Sequence, residues 1–377
     1  MQYRSFINKG NKVSLLDYGC MRLPVIDNDD SKIDYEKSSE LLNHAIANGI
    51  NYIDTAYFYH GQQSEIFLGE YFKKYGNRKD IYLATKNPVW EVKEHRDFEK
   101  FLDTQLERLN TSFIDFYLLH ALDKNRWDKC LQLNVFEFLE KAKEEDKIKY
   151  IGFSFHDDLD VFKEIIDSYD FDFCQIQLNY LDENYQAGLE GMRYAKEKGV
   201  SVVIMEPVKG GRLANLPNDI TQPLKDIDSS KSNAYWALSW LINQSEISVI
   251  LSGMNSLEQI DDNINACNEI RPNTLTAEEL SAINKTKDNL NDKLKIDCTN
   301  CKYCLPCPSG VAIPDVFSYY NNMYVFNEAD RSKKSYQNLL KKNSDAAQCI
   351  ECGQCEDECP QHLPIIKTLV EAHNDLV

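Results

Sequence analysis

Eight cysteines near the C-terminus stand at spacings that bring thiolates together. The first group reads Cys298-x2-Cys301-x2-Cys304-x2-Cys307-Pro308, and the second reads Cys349-x2-Cys352-x2-Cys355-x3-Cys359-Pro360. Two residues between thiols let three of them, in one turning segment, reach three irons of a single cubane. The proline after the fourth carries the chain out of that turn. The chemistry on offer is the binding of two [4Fe–4S] clusters, and with it one-electron transfer. Two zinc sites or a disulfide framework are the competing readings. Zinc modules separate their CxxC pairs by a longer loop, whereas here four cysteines crowd into ten or eleven residues, twice. The other four, Cys20, Cys130, Cys174 and Cys267, stand singly in barrel-like segments and are expected in the core.

A second constellation lies upstream. Asp54 ends the run Asn51-Tyr52-Ile53-Asp54, and Tyr59 follows five residues later. Lys86 ends Leu83-Ala84-Thr85-Lys86, and His120 ends Asp115-Phe116-Tyr117-Leu118-Leu119-His120. Each sits at the C-terminal end of a strand-like segment or in the loop just beyond, where a (β/α)8 barrel keeps its reactive groups.

The elements that must carry these residues alternate. Strand-like runs fall at Leu16 to Cys20, Asn51 to Asp54, Ile81 to Lys86, Ile114 to His120, Tyr150 to Ser154, Phe173 to Gln177, Val200 to Met205 and Ser248 to Ser252. Between them lie amphipathic segments such as Tyr35 to Ala47, with Leu41, Leu42, Ala45 and Ile46 on one face and Gly49 as a stop. Eight β–α units in about 290 residues predict an α/β fold, the (β/α)8 TIM barrel; an open doubly wound sheet is the alternative. Two short extended runs around Asn8-Lys9-Gly10-Asn11 suit a hairpin plugging the barrel bottom. Past residue 290 the texture changes to cysteine clusters and a polar helical stretch, Val316 to Lys342. The predicted domains are therefore 1–290, the barrel, and 291–377, a small, mainly helical module.

Composition narrows the function further. The 377 residues carry a formal charge of −18, which repels polyanions and argues against a nucleic-acid partner. No apolar run is long enough to span a membrane, and the polar start MQYRSFINKGNK lacks a signal-peptide core. A cytoplasmic protein with reduced thiols is expected.

With those residues in view, residues 1 to about 290 resemble an aldo-keto reductase, on Asp54-Thr55-Ala56-Tyr57-Phe58-Tyr59, Ala84-Thr85-Lys86 and the strand running into His120. The whole chain is similar to the subgroup with a C-terminal ferredoxin-like extension. The resemblance implies a carbonyl/alcohol oxidoreductase using NADP or NAD on a small molecule. Chemistry explains the tetrad: an alkoxide formed by hydride addition needs a proton, and a tyrosine near pKa 10 is a poor acid unless a cation stabilises its phenolate. Lys86 can supply that field, Asp54 can hold Lys86, and His120 can donate to the substrate oxygen.

Residue by residue, the resemblance further implies that Ser154 and Gln175 hold the nicotinamide amide, with Phe155 where the family has asparagine and Met205 in place of a stacking aromatic. Pro207, Lys209, Gly210 and Gly211 would meet the diphosphate, Lys209 or Arg212 adding charge. Gly253, Gln259 and Asn263 would form the adenosine-phosphate site. NADPH-preferring relatives place Lys or Arg there; between Ser252 and Asn263 this chain has none and carries Glu258, Asp261 and Asp262. Likeness to bacterial two-cluster ferredoxins implies crossed fourth ligands, Cys359 joining Cys298, Cys301 and Cys304, and Cys307 joining Cys349, Cys352 and Cys355. The x2 spacing before Cys307 departs from the usual x3. Because a hydride moves two electrons and a cubane one, clusters coupled to the barrel call for a redox partner, a ferredoxin or flavoprotein. The alternatives are a nicotinamide-binding electron-transfer subunit with little turnover, or clusters that merely staple the extension. His60 either lines the substrate mouth or is a solvated loop residue.

Overall fold

The computed structural model describes residues 1–7, 11–27, 29–298, 302–359 and 361–377. The tip of the predicted N-terminal hairpin and Cys301 lie outside the described residues. The chain divides into two units, one of Met1–Pro207 with Ala234–Leu275, the other of Val208–Asn233 with Thr276–Val377.

The first unit opens with a hairpin, β1 (Tyr3–Phe6) and β2 (Asn11–Ser14), paired antiparallel with Tyr3 opposite Ser14. Eight parallel strands follow: β3 (Tyr18–Gly19), β4 (Tyr52–Asp54), β5 (Tyr82–Asn87), β6 (Ile114–Leu122), β7 (Ile148–Phe155), β8 (Phe173–Gln177), β9 (Ser201–Met205) and β10 (Ile247–Ile250), each hydrogen-bonded to the next. Asp17 donates its amide to Ile250 at 3.1 Å, Ile250 to Leu15 at 2.8 Å and Gly19 to Ser252 at 2.9 Å, so the first and last strands join. Those three bonds decide for the barrel over the open sheet.

Alternation along each strand sends one set of side chains inward. At the hairpin end these are aromatic: Phe6 packs on Phe116 (4.7 Å between ring centroids), Phe173 (5.6 Å) and Tyr52 (6.1 Å), so the hairpin plugs that end. Gly152 is required there, since a Cβ would stand 2.7 Å from the Phe173 ring and 2.6 Å from its carbonyl oxygen. Higher up, the inward positions turn polar. Cys20, Cys130, Cys174 and Cys267 are buried, as expected.

The second unit contains helices 218–227, 277–291, 313–325, 329–341 and 365–376. Its grouping assigns segments 208–233 and 276–290 to the cysteine-bearing part rather than to the strands. The stretch read as one helical connection is two helices, with Tyr320, Tyr336, Val316, Phe317 and Leu369 in their common core. Among the described residues no helix is long and apolar enough to cross a membrane.

Candidate functional site

Asp54 and Lys86 come from adjacent strands whose register pairs Asp54 with Ala84, placing Lys86 one inward step higher. The Lys86 ammonium donates to Asp54 Oδ1 at 2.5 Å and to the Thr55 carbonyl at 2.7 Å, with both side chains buried. Behind it, Glu65 accepts from Thr85 Oγ1 (2.6 Å) and Gln105 Nε2 (2.7 Å), while Gln105 also donates to the Lys86 carbonyl (3.0 Å). This buried frame fixes the strand that aims the lysine. Burial opposes charge on Lys86, but the Asp54 carboxylate and Tyr59 outweigh it and hold Lys86 above its ordinary value. Burial raises Asp54, partly offset by Lys86.

Tyr59 sits in tight turns between β4 and helix 64–75: its amide donates to Ala56, and its carbonyl accepts from Ser64. His60 and Gln62 adopt left-handed backbone here. The turn lays the Tyr59 ring 5.0 Å from Lys86 Nζ, with the Tyr59 side chain hydrogen-bonded to Lys86. His120 is edge-on to Tyr59, with centroids 6.2 Å apart. β6 does not end at His120, as the sequence suggested. It bulges there: pairing with β7 shifts between Leu119 and Leu122, Ala121 has φ 54°, and Arg126 bonds its carbonyl at 2.9 Å. Such a bulge re-aims a side chain. Burial, then the Lys86, His156 and Arg126 charges, push His120 well below the ordinary imidazole value, and its Nδ1 makes no hydrogen bond.

All four predicted tetrad residues therefore converge. Trp90, missed in the sequence, completes the wall, 5.0 Å from His120 and 5.7 Å from Phe58; its place just beyond β5 was the available signal. Asp17, also missed, lies buried just before β3. His60 is neither mouth-lining nor solvated: it is buried, accepting from the Leu23 amide at 3.1 Å and bonded to the Asp30 carbonyl at 2.9 Å.

Of the nucleotide contacts, Gln175 is buried beside Met205, with Nε2 3.5 Å from the sulfur and Oε1 without a partner. That orphan acceptor fits a carboxamide N–H. Ser154 accepts from the Ala121 amide at 2.7 Å and so holds the bulge. Phe155 is packed on Phe162 and Phe153 in the core and offers no amide. Around Gly253, Gln259 accepts from the Asn255 amide (2.9 Å) and Asn263 donates to Ser252 Oγ (2.9 Å). A side chain on Gly253 would meet the stem of Arg22 at 3.3 Å, so a loop distant in sequence packs against this turn. Asp261 bonds His44 at 2.6 Å.

In the second unit, Gly210 and Gly211 have φ of 65° and 94°. Lys209 is buried and ion-paired with Asp297 at 2.9 Å, so its charge is committed beside Cys298. Arg212 keeps a buried Nη1 without a partner. Asn321 pins the chain entering the first cysteine group, accepting from the Lys295 and Ile296 amides (3.0 and 3.2 Å). Cys298, Cys304 and Cys359 line one recess with Ile313, Phe317 and Ile365. Cys355 is pushed up to about 11 by burial and by the neighbouring Cys349, Glu356 and Cys307. Burial raises Cys307, but donors from the Ser309 hydroxyl and the Val311, Ser309 and Gly310 amides prevail and bring it down. Amides aimed at a sulfur favour thiolate, the form that ligates iron. Among the described residues no three His, Cys, Asp or Glu groups converge as one metal ion requires. The donor set of grouped thiols suits iron–sulfur ligation.

A barrel bearing an Asp–Lys–Tyr–His cluster at its strand ends, followed by cysteine-rich helices, defines a redox enzyme with an iron–sulfur module. Residues 16–288 match the Aldo/keto reductase family, and residues 297–363 match a 4Fe-4S dicluster domain. The chain belongs to the aldo/keto reductase family and is an oxidoreductase. It is 28% identical to L-galactose dehydrogenase of Arabidopsis thaliana, over 75% of this chain and 93% of that protein. An aldo-keto reductase of Bacillus halodurans, in its holo form, superposes with a TM-score of 0.63 at 28% identity, covering 76% of this chain and 96% of the other. One from Klebsiella pneumoniae in complex with NADPH shares the fold, at TM-score 0.61 and 21% identity over 76% and 95% of the two chains.

Proposed function

We propose that the barrel, residues 1–290, reduces an aldehyde or ketone, or oxidises the alcohol, with a nicotinamide nucleotide, and that residues 291–377 hold two [4Fe–4S] clusters. The carrying observation is Lys86, bonded to Asp54 at 2.5 Å and set 5.0 Å from the Tyr59 ring. A bound reduced nicotinamide supplies a hydride, with Gln175 the residue best suited to its carboxamide, and bound cubanes supply single electrons.

The protein's own part is proton management. Tyr59 gives its hydroxyl proton to the developing alkoxide and is left as a phenolate. The Lys86 ammonium stabilises that charge, and Asp54 keeps the ammonium in place. His120, held neutral by burial and by Lys86, offers one N–H to the substrate oxygen. Trp90 and Phe58 exclude water from that side. In the oxidative direction Tyr59 accepts the proton.

The crossed ligand sets, Cys298, Cys301, Cys304 with Cys359 and Cys349, Cys352, Cys355 with Cys307, are supported by the thiols lining the recess and by the neighbours of Cys355. The nucleotide is NADP or NAD, and Glu258, Asp261 and Asp262 would oppose a 2′-phosphate. A ferredoxin or flavoprotein is the expected electron partner. One observation favours the second reading, a nicotinamide-binding electron-transfer subunit: Phe155 is locked in the core where the family has an amide. Tyr59→Phe separates the two. Carbonyl turnover should fall by about 10²–10⁴-fold with nucleotide binding retained; wild-type turnover in the variant would overturn the assignment.

A further inference from the structure

Three buried polar atoms beneath the tetrad lack partners, and counting their donors points to a proton. The β3–β4 register sets Gly19 beside Asp54 and Tyr18 beside Ile53. Continued by one residue, that register sets Asp17, just before β3, one inward step below Gly19 and level with Tyr52. Its backbone is fixed by the bond to Ile250, and its side chain is fully buried. Oδ1 accepts from the Ser252 amide at 3.0 Å, while Oδ2 has no partner. On Asp54, Oδ1 is taken by Lys86 and Oδ2 has no partner; the Tyr52 hydroxyl has none either.

Two ionised carboxylates could not satisfy one another, because each is an acceptor only. An unpaired buried anion would also be expensive. A single proton on Asp17 resolves both problems: Oδ2 becomes a donor and Asp54 Oδ2 its acceptor. One enclosed water can link the three where they do not touch.

We propose that Asp17 is a positioning residue for the proton chemistry at Tyr59: a neutral carboxylic acid that donates to the free oxygen of Asp54 and so keeps the Asp54–Lys86 pair aligned under the tyrosine. The groups facing it are Asp54, Lys86, Tyr52, Cys20 and the Ser252 amide. Burial, reinforced by the Asp54 charge, pushes Asp17 well above the usual carboxylate range, and Ser252 and Lys86 offset this only in part. Cys20 is pushed up by burial and by Asp17 and Asp54, and so stays a neutral thiol. With its second oxygen satisfied, Asp54 draws less on the Lys86 proton, and more of the ammonium field reaches Tyr59. Without the donor, that field weakens.

The link to catalysis rests on Tyr59 being the acid; the protonation of Asp17 does not. Infrared spectra of the full-length protein at neutral pH should contain a buried carboxylic-acid carbonyl band that Asp17→Asn removes. Asp17→Leu should lower kcat about tenfold, the worth of one hydrogen bond to a charged group, with nucleotide affinity unchanged. It should also move to higher pH the tyrosinate absorbance that Tyr59→Phe abolishes. Asp17→Asn, which retains a donor, should recover most of both effects. The proposal is overturned if Asp17→Asn removes no such band, or if it moves the Tyr59 transition to lower pH, as deletion of a negative charge would. Should Asp17→Leu not fold, those two Asp17→Asn measurements decide. Neither needs turnover, so a wild-type protein without carbonyl activity would sink the reductase reading alone.

Discussion

Replacing Lys86 with methionine removes the buried cation while keeping most of its volume. Its ammonium lies 5.0 Å from the Tyr59 ring centroid. At that distance, with an effective dielectric near 20, a full phenolate charge gains about 3.3 kcal/mol from the ammonium. Full charge development in the transition state would make the loss about 250-fold in kcat/KM, and half development about 16-fold. The expected outcome lies between those bounds, read from nucleotide absorbance with a panel of aldehydes under anaerobic conditions. Stability should fall as well, because breaking a buried pair strands Asp54, at a cost of about 3–5 kcal/mol. The sign of the pH dependence follows from Asp54, which burial already raises and which Lys86 holds down. Without Lys86 the folded state takes up the Asp54 proton more readily. A group whose folded value is raised keeps its stability at low pH and loses it as pH rises. The variant should therefore be closer to wild type near pH 5 than near pH 8 in urea titrations. A folded Lys86→Met enzyme with wild-type kcat/KM would refute the role given to Lys86.

Three further outcomes test other parts of the molecule. If the ligands cross, Cys359→Ser and Cys298→Ser damage the same cluster, so the double variant should lose no more iron than either single one; pairing Cys359→Ser with Cys349→Ser should lose more, and equal iron in both doubles would exclude crossing. Glu258→Arg should tighten NADPH about tenfold, roughly 1.4 kcal/mol, by fluorescence titration, whereas a wild-type protein that already prefers NADPH would contradict the reading of that loop. Burial, then Arg126, depresses His156 to about 4, so its contribution is present above about 6.5 and lost as pH falls toward about 4; His156→Gln should reduce the drop in urea midpoint between neutral and acidic pH.

Much of this protein could be read along the chain because the information is local. Alternating strand and helix patterns, and the placement of Asp54 and Lys86 toward strand ends, follow from periodicity and the barrel rule. The cysteine spacings pointed to the 4Fe-4S dicluster domain because three ligands of one cubane can come from a single turn. The residues that sequence reading missed act through space. Asp17 is an unremarked acid until the register sets it level with Tyr52 and below Asp54. The stem of Arg22 reaches Gly253 only because two loops distant in sequence meet. Lys209, read as a diphosphate contact, instead spends its charge on Asp297, 88 residues away.

What the sequence by itself determined is therefore the class of protein: a barrel of the aldo/keto reductase family followed by a 4Fe-4S dicluster domain. Tertiary structure alone decided which polar atoms are paired and which are orphaned, that β6 bulges to turn His120, and that Ser154 holds the bulge. The physical reason is that ligand spacing and side-chain alternation are properties of a few consecutive residues. Desolvation and hydrogen-bond satisfaction depend instead on whatever the fold packs alongside, and those neighbours come from anywhere in the chain.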